Sequence, residues 1–225
     1  VDALGSENVT GVAMPSKYNS KESLIDAKSL AENLKIEFKT IEIETIVENF
    51  RTTLAGKINE DLGQTTDENI QSRVRGNILM ALSNQTGAMV VSTGNKSEMA
   101  VGYSTLYGDL AGGFALLKDL YKTEVYNLSN FRNTISKVIP QNTIDKEPSA
   151  ELRPNQFDKD SLPEYDLLDK ILRLYIEEDS SSEKIISSGI NENIVYDVLS
   201  KVDRNEYKRK QVAPGVKLTE KAFGK

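Results

Sequence analysis

Residues 88–98, Ala-Met-Val-Val-Ser-Thr-Gly-Asn-Lys-Ser-Glu, run an apolar strand into a small, polar turn that opens a helix. A segment this apolar is too greasy for a sheet edge and fits a central parallel strand, covered on both faces. Turns at the carboxyl ends of such strands put backbone N–H groups and a helix N-terminus where phosphate can bind. Tyr107-Gly108-Asp109 and Tyr121-Lys122-Thr123 follow closely. They add a carboxylate suited to a sugar or amide and a lysine suited to phosphate, beside Glu98, which suits a metal. Together these groups are what a nucleotide-using transferase or ligase needs.

The flanking pattern alternates strand with helix. Residues 9–14 form a short apolar run ending at Pro15, and residues 37–43 alternate charged with Ile and Phe. Between them Ser20 can cap a helix to Leu34, with Leu24, Ala27, Leu30 and Leu34 at helical spacing. A helix over 44–54 and a polar crossover over 56–66 come next. Thr65-Thr66-Asp67-Glu68 then opens a long helix carrying Ile70, Val74, Ile78, Leu79 and Leu82. Helices are expected from Asn95 and over 116–127. Pro140, Pro148, Pro154 and Pro163 mark a loop-rich passage, and three helices follow over about 164–177, 181–188 and 191–201. This order predicts one α/β domain: a parallel sheet with right-handed crossovers and helices on both faces.

The chain has no cysteine and no histidine among its 225 residues. Disulfide scaffolds, the usual zinc sites, cysteine nucleophiles and Ser-His-Asp hydrolysis are therefore excluded. Proton transfer falls to carboxylate, Lys, Tyr or the substrate. Missing cysteine fits a cytoplasmic location. No run approaches the length of a membrane span. The net charge is −6, yet the segment from Arg204 onward carries a surplus of five positive charges, leaving −11 on the rest. A basic tail on an acidic body suits a small anionic ligand, or is a solvated end. A nucleic-acid surface would be basic over a broad face.

Each polar candidate has a plain reading as well. Glu98 completes Asn95-x-x-Glu98, the spacing of a capping box, or it ligates Mg²⁺ beside nucleotide phosphates. Thr93 is a strand-end hydroxyl or a contact to adenosine or phosphate. Asp109 lies in the glycine-rich run Tyr107–Gly113, where Asp is commonly a turn former. Lys122 heads a helical turn, and exposed lysines are mostly solvated. Arg73 and Arg75, two apart on a helix, point in different directions. Ser149 after Lys146-Glu147-Pro148, and Tyr207-Lys208-Arg209-Lys210, are ordinary taken singly.

The order of these blocks resembles the NAD⁺ synthetase family, in particular the synthetase domain of its glutamine-dependent members. The resemblance rests on Met14-Pro15-Ser16-Lys17-Tyr18, Asn69-Ile-Gln-Ser-Arg-Val-Arg75, Ser92–Glu98, Tyr107-Gly108-Asp109, Lys122-Thr123, Lys146–Leu152 and Glu206-Tyr207-Lys208-Arg209, and spans nearly the whole chain. It implies an adenine nucleotide α-hydrolase-like (Rossmann-like) fold. The reaction it implies has two steps: deamido-NAD⁺ is adenylylated by ATP with release of pyrophosphate, and ammonia then displaces AMP. Carried over by position, Met14, Thr93, Lys122 and Ser149 would contact ATP, with Lys122 and Ser149 on its phosphates. Glu98 would hold Mg²⁺ and lie beside the dinucleotide. Asn69, Arg75, Asp109, Tyr207 and Lys208 would position deamido-NAD⁺.

The resemblance also implies an upstream nitrilase-type glutaminase domain that supplies ammonia, and assembly as a homo-oligomer. The family's first strand and Ser-Gly-Gly-x-Asp-Ser pyrophosphate loop belong before residue 1. The 225 residues alone are accordingly expected to form an N-terminally incomplete synthetase domain that does not turn over. Ser149 stands where Thr is frequent and keeps the hydroxyl. Tyr207 and Leu106 stand where ammonia-only members tend to have His and Lys, which favours the glutamine-dependent branch. Another ATP-pyrophosphatase amidotransferase would share the adenylylation logic but not the Tyr-Gly-Asp and Lys-Glu-Pro-Ser blocks. A non-catalytic nucleotide-binding or oligomerisation module is the rival of a different class.

Overall fold

A computed structural model describes residues 1–58 and 62–223. Residues 59–61 of the expected crossover and Lys225 of the basic tail lie outside them. The chain divides into two compact units, Val1–Val74 with Tyr126–Asp160, and Arg75–Val125 with Ser161–Lys225.

In the first unit β1 (Thr10–Ala13) and β2 (Glu37–Thr40) pair in parallel, from Thr10 opposite Glu37 to Ala13 opposite Thr40. The connection between them is α1 (Lys21–Leu34), as the apolar spacing predicts. Ser20 caps it by accepting a hydrogen bond from the Ser23 amide at 3.1 Å. Ile43 and Val47, at the start of α2 (Glu44–Leu54), are fully buried. The first part of α3 (Gln64–Thr86) also belongs to this unit. The Arg51 guanidinium donates to both oxygens of Asp67, at 2.6 and 3.0 Å. Paired this way, Asp67 holds its carboxyl below the usual range.

The loop-rich passage expected after Pro140 opens with α6 (Gln141–Asp145) and is anchored at Glu151. Its carboxylate accepts from the Ser20 and Ser23 hydroxyls at 3.0 and 2.7 Å, from the Asn19 amide at 3.0 Å, and from the Lys146 ammonium at 2.5 Å. Burial alone would raise its pKa, but the bonds from Lys146, Ser23, Asn19 and Ser20 overcome it and bring it down to about 2. The folded value is depressed, so this anchor contributes stability above the unfolded carboxyl range. That contribution is lost as pH falls from about 4.5 toward 2. Acid titration of unfolding should therefore show a steep loss in this window, which Glu151→Gln flattens. An identical acid limb in the variant would exclude the anchor as its source.

The second unit holds the main apolar core. Ala100 and Val101 of α4 (Lys96–Val101) pack with Leu168, Ile171 and Leu172 of α7 (Tyr165–Leu172), with Ile185 of α8 (Ser182–Ser187), and with Val195, Val198 and Val202 of α9 (Glu192–Arg204). Residues Arg173–Glu177 continue α7 as a π-type turn. β3 (Val91–Ser92) pairs in parallel with β4 (Phe114–Ala115). The segment over 88–92 is thus parallel as expected but not central. Among the described residues β4 is its one strand partner, and Val91 and Met89 are 45% and 67% exposed.

The helix expected over 116–127 begins instead at Lys122, as α5 (Lys122–Ile135). Residues 116–120 are diverted because the Asp119 carboxylate is captured by the amides of Leu218 and Thr219, both at 2.6 Å. Those two residues lie on a strap that follows α10 (Glu206–Arg209). The strap also binds Ala115, whose amide donates to Pro214 O at 2.8 Å. Gly215 makes this approach possible: a Cβ there would lie 2.2 Å from the Ala115 carbonyl oxygen.

Candidate functional site

The polar turn after β3 is built on its own hydrogen bonds. Asn95 caps α4 by accepting from the Glu98 amide at 3.0 Å, and Glu98 Oε2 accepts from the Asn95 amide at 3.2 Å. The capping box is therefore formed. It occupies one carboxylate oxygen only. Oε1 faces the Lys122 ammonium at 3.0 Å, so the two residues singled out by sequence meet as an ion pair about four-fifths buried (19% and 20% exposed). Lys122 also lies over the Tyr165 ring, 5.2 Å from its centroid. Thr93, at the carboxyl end of β3, is exposed.

Beneath this pair lies a layer that sequence reasoning missed. Ser97 is fully buried; its hydroxyl donates to Asp169 Oδ1 at 2.5 Å and accepts from the Lys122 amide at 2.9 Å. Asp169 Oδ2 accepts from the Thr123 amide and hydroxyl at 3.0 and 2.8 Å. Burial pushes the Asp169 carboxyl up, and the bonds from Ser97 and Thr123 do not fully offset it. The available signal was a carboxylate inside the apolar run Leu167–Leu172.

Lys96, fully buried, is the third element. Its ammonium donates to Asp119, Glu177 and Thr219 at 2.9, 2.8 and 2.8 Å and lies 4.9 Å from the Tyr121 ring centroid. Burial would raise the Asp119 pKa, but the Thr219 amide, Lys96 and the Leu218 amide outweigh it and hold the carboxyl below its usual range.

A cleft of about 280 Å³ adjoins the Tyr107-Gly108-Asp109 turn and is lined by Gly76, Asn77, Met80, Leu106, Tyr107 and Leu110 among others. Tyr107 is 68% exposed, in a left-handed conformation with φ 63°. Gly76 lets α3 reach this turn, since a Cβ there would sit 2.7 Å from Tyr107 O. Asp109 Oδ1 accepts from the Thr105 amide at 2.6 Å. The turn-forming role open to it is therefore realised. Lys208 donates to the carbonyls of Gly102 and Ser104 at 2.7 and 2.8 Å. Burial lowers its pKa against the pull of Asp109. Arg75, in the same unit, is half-buried, and Tyr207 is 55% exposed.

The remaining candidates belong to the first unit. Met14 is half-buried just beyond β1, at the carboxyl end of that strand. Asn69 is half-buried on α3. The Ser149 hydroxyl accepts from the Glu151 amide at 3.1 Å.

No group of three or more acidic residues suited to a metal occurs among the described residues. Glu98 thus belongs to no such group, and its carboxylate stands beside the polar turn that caps α4. That donor set fits Mg²⁺, which keeps several waters and takes one or two carboxylates together with substrate phosphates. A fully protein-built cation cage does not fit. No described helix is long and apolar enough to cross a membrane.

The sequence profile described as NAD synthase matches residues 1–212. A glutamine-dependent NAD(+) synthetase of Aquifex aeolicus (strain VF5) is 55% identical over 225 residues, all of this chain and 40% of that protein. The chain thus spans about 40% of the length of the curated relatives it matches. Among solved structures, the glutamine-dependent NAD+ synthetase of Acinetobacter baumannii in complex with ADP is 46% identical, with a TM-score of 0.64 over 100% of this chain and 40% of that one. NMN synthetase of Francisella tularensis is 27% identical, with a TM-score of 0.75 over 93% of this chain and 77% of that one. These neighbours share the adenine nucleotide α-hydrolase type of α/β fold.

Proposed function

We propose, from the premise that this chain belongs to the NAD synthase family, that it is the synthetase portion of a glutamine-dependent NAD⁺ synthetase. The observation that carries the reading is the Glu98–Lys122 pair at 3.0 Å, set at the mouth of a parallel strand. A carboxylate and an ammonium held side by side there suit a metal-bound polyphosphate: Lys122 would hold the phosphate and Glu98 the cation. Bound Mg²⁺, held by Glu98, would neutralise phosphate charge. Thr93, Met14 and Ser149 are assigned to ATP by the same reading, with Lys122 and Ser149 on the phosphates. Asn69, Arg75, Asp109, Tyr207 and Lys208 are assigned to deamido-NAD⁺ by the same resemblance; the cleft adjoining the Tyr107-Gly108-Asp109 turn is lined by residues other than these five.

The chemistry is two displacements. A carboxylate oxygen of deamido-NAD⁺ attacks the α-phosphorus of ATP, and pyrophosphate leaves. Ammonia then attacks the acyl carbon, losing a proton, and AMP leaves with one former carboxylate oxygen. Acyl activation by adenylate needs no side-chain nucleophile, in keeping with a chain that has no Cys or His. What the protein supplies is positioning and charge neutralisation. Ammonia is drawn from glutamine by an upstream nitrilase-type domain, in a cytoplasmic homo-oligomer. As in the reading from sequence, residues 1–225 are taken as one synthetase domain.

The test is made on the intact protein with ATP, Mg²⁺ and deamido-NAD⁺ carrying ¹⁸O in the nicotinate carboxylate. With ammonia or glutamine, NAD⁺ should form with AMP and pyrophosphate in equal amounts, and one ¹⁸O should appear in AMP. Release of ADP and phosphate, or AMP without label, would refute the adenylyl route. Preference for nicotinate mononucleotide over deamido-NAD⁺ would move the assignment toward the NMN synthetase neighbour.

A further inference from the structure

Asp169 occupies an unexpected place, on α7 between Leu168 and Ile171, two fully buried members of the main core. A carboxylate taken into such a setting costs stability unless its partners are well placed. Asp169 is 3% exposed, and its two oxygens accept three bonds, one from Ser97 and two from Thr123. Ser97 precedes Glu98, and Thr123 follows Lys122. The Ser97 hydroxyl passes the restraint on by accepting from the Lys122 amide. One carboxylate thereby ties the first turn of α4 to the first turn of α5, and it satisfies the Thr123 N–H, which α5 cannot bond internally.

We infer that Asp169 is a positioning residue that sets the register of α4 against α5 and so holds Glu98 and Lys122 within reach of each other. It touches no substrate in this role. Its consequence for MgATP rests on the proposed function; the geometric claim does not.

A double-mutant cycle in the intact protein separates the two. Glu98→Gln, Lys122→Met and both are compared by unfolding equilibrium, first with Asp169 and then with Asp169→Leu. A partly exposed pair of this kind should show a coupling of about two- to fivefold in the unfolding constant with Asp169 present. It should drop to about onefold with Leu. The same cycle on Asp197 and Lys201 of α9, an ion pair that Asp169 does not touch, should not change. Asp169→Asn, which can still accept from Thr123, should restore most of the coupling. Thr123→Val, which removes one bond without adding a charge, should lower it in the same direction and serves if Asp169→Leu does not fold.

Equal coupling in the Asp169 and Leu backgrounds, or no loss with Thr123→Val, would overturn the inference whatever ATP does. Collapse of the coupling with an unmoved MgATP dissociation constant would uphold it and remove the pair from ATP binding. Collapse together with a tenfold or larger weakening of MgATP would support both.

Discussion

Glu98→Gln should lower metal-dependent ATP–pyrophosphate exchange by about 10²–10³-fold, a loss typical of removing one preorganised charge-stabilising group. The substitution is informative because the two roles of Glu98 separate on its two oxygens. The amide oxygen of Gln can still accept from the Asn95 N–H, so the capping box survives in outline. Loss of the charge toward Lys122 should cost less than about 1 kcal/mol of stability, since the pair is partly solvated. A variant that melts within a few degrees of the parent and yet has no exchange activity would assign Glu98 to the nucleotide chemistry. Exchange within threefold of the parent would leave it as a helix cap only.

Asp119→Ala should destabilise the protein by about 3–5 kcal/mol, the range seen when one partner of a buried charge pair is removed. Both Asp119 and Lys96 side chains are fully buried. Without Asp119, Lys96 keeps Glu177 and Thr219, while the amides of Leu218 and Thr219 lose their acceptor. Denaturant titration reads this directly. The double variant Lys96→Met with Asp119→Leu should recover part of the loss, because it no longer leaves the fully buried Lys96 charge short of a carboxylate partner. A single Asp119→Ala loss below about 1 kcal/mol would show that the node contributes little.

The contrast between these residues shows what could be seen without coordinates. Glu98 and Lys122 stood out because their types and order suit a phosphate chemistry, and the fold brings the two together as an ion pair. The Ser20 cap and the paired strands at residues 10–13 and 37–40 were legible because local pattern decides them. Residues 116–120 look helical by pattern, but Asp119 answers to amides about a hundred positions away, and no local rule sees that distance. Lys96 looks like part of a solvated polar turn and is fully enclosed, because three acceptors from remote segments surround its ammonium. Asp169 and Glu151 were missed for the same reason. Each gathers side chains from separate stretches, and only the folded chain shows why a carboxylate stands there.

The strap at residues 213–219 bears on how the protein is made. During synthesis Lys96 emerges long before Thr219, and until then its charge lacks one of its three acceptors and Asp119 lacks three of its donors, the Leu218 and Thr219 amides and the Thr219 hydroxyl. The turn after β3 therefore settles late, after more than a hundred further residues have been polymerised. A ribosome-bound nascent chain paused short of residue 218 should leave that turn open to protease, and a chain extended past residue 219 and then released should close it.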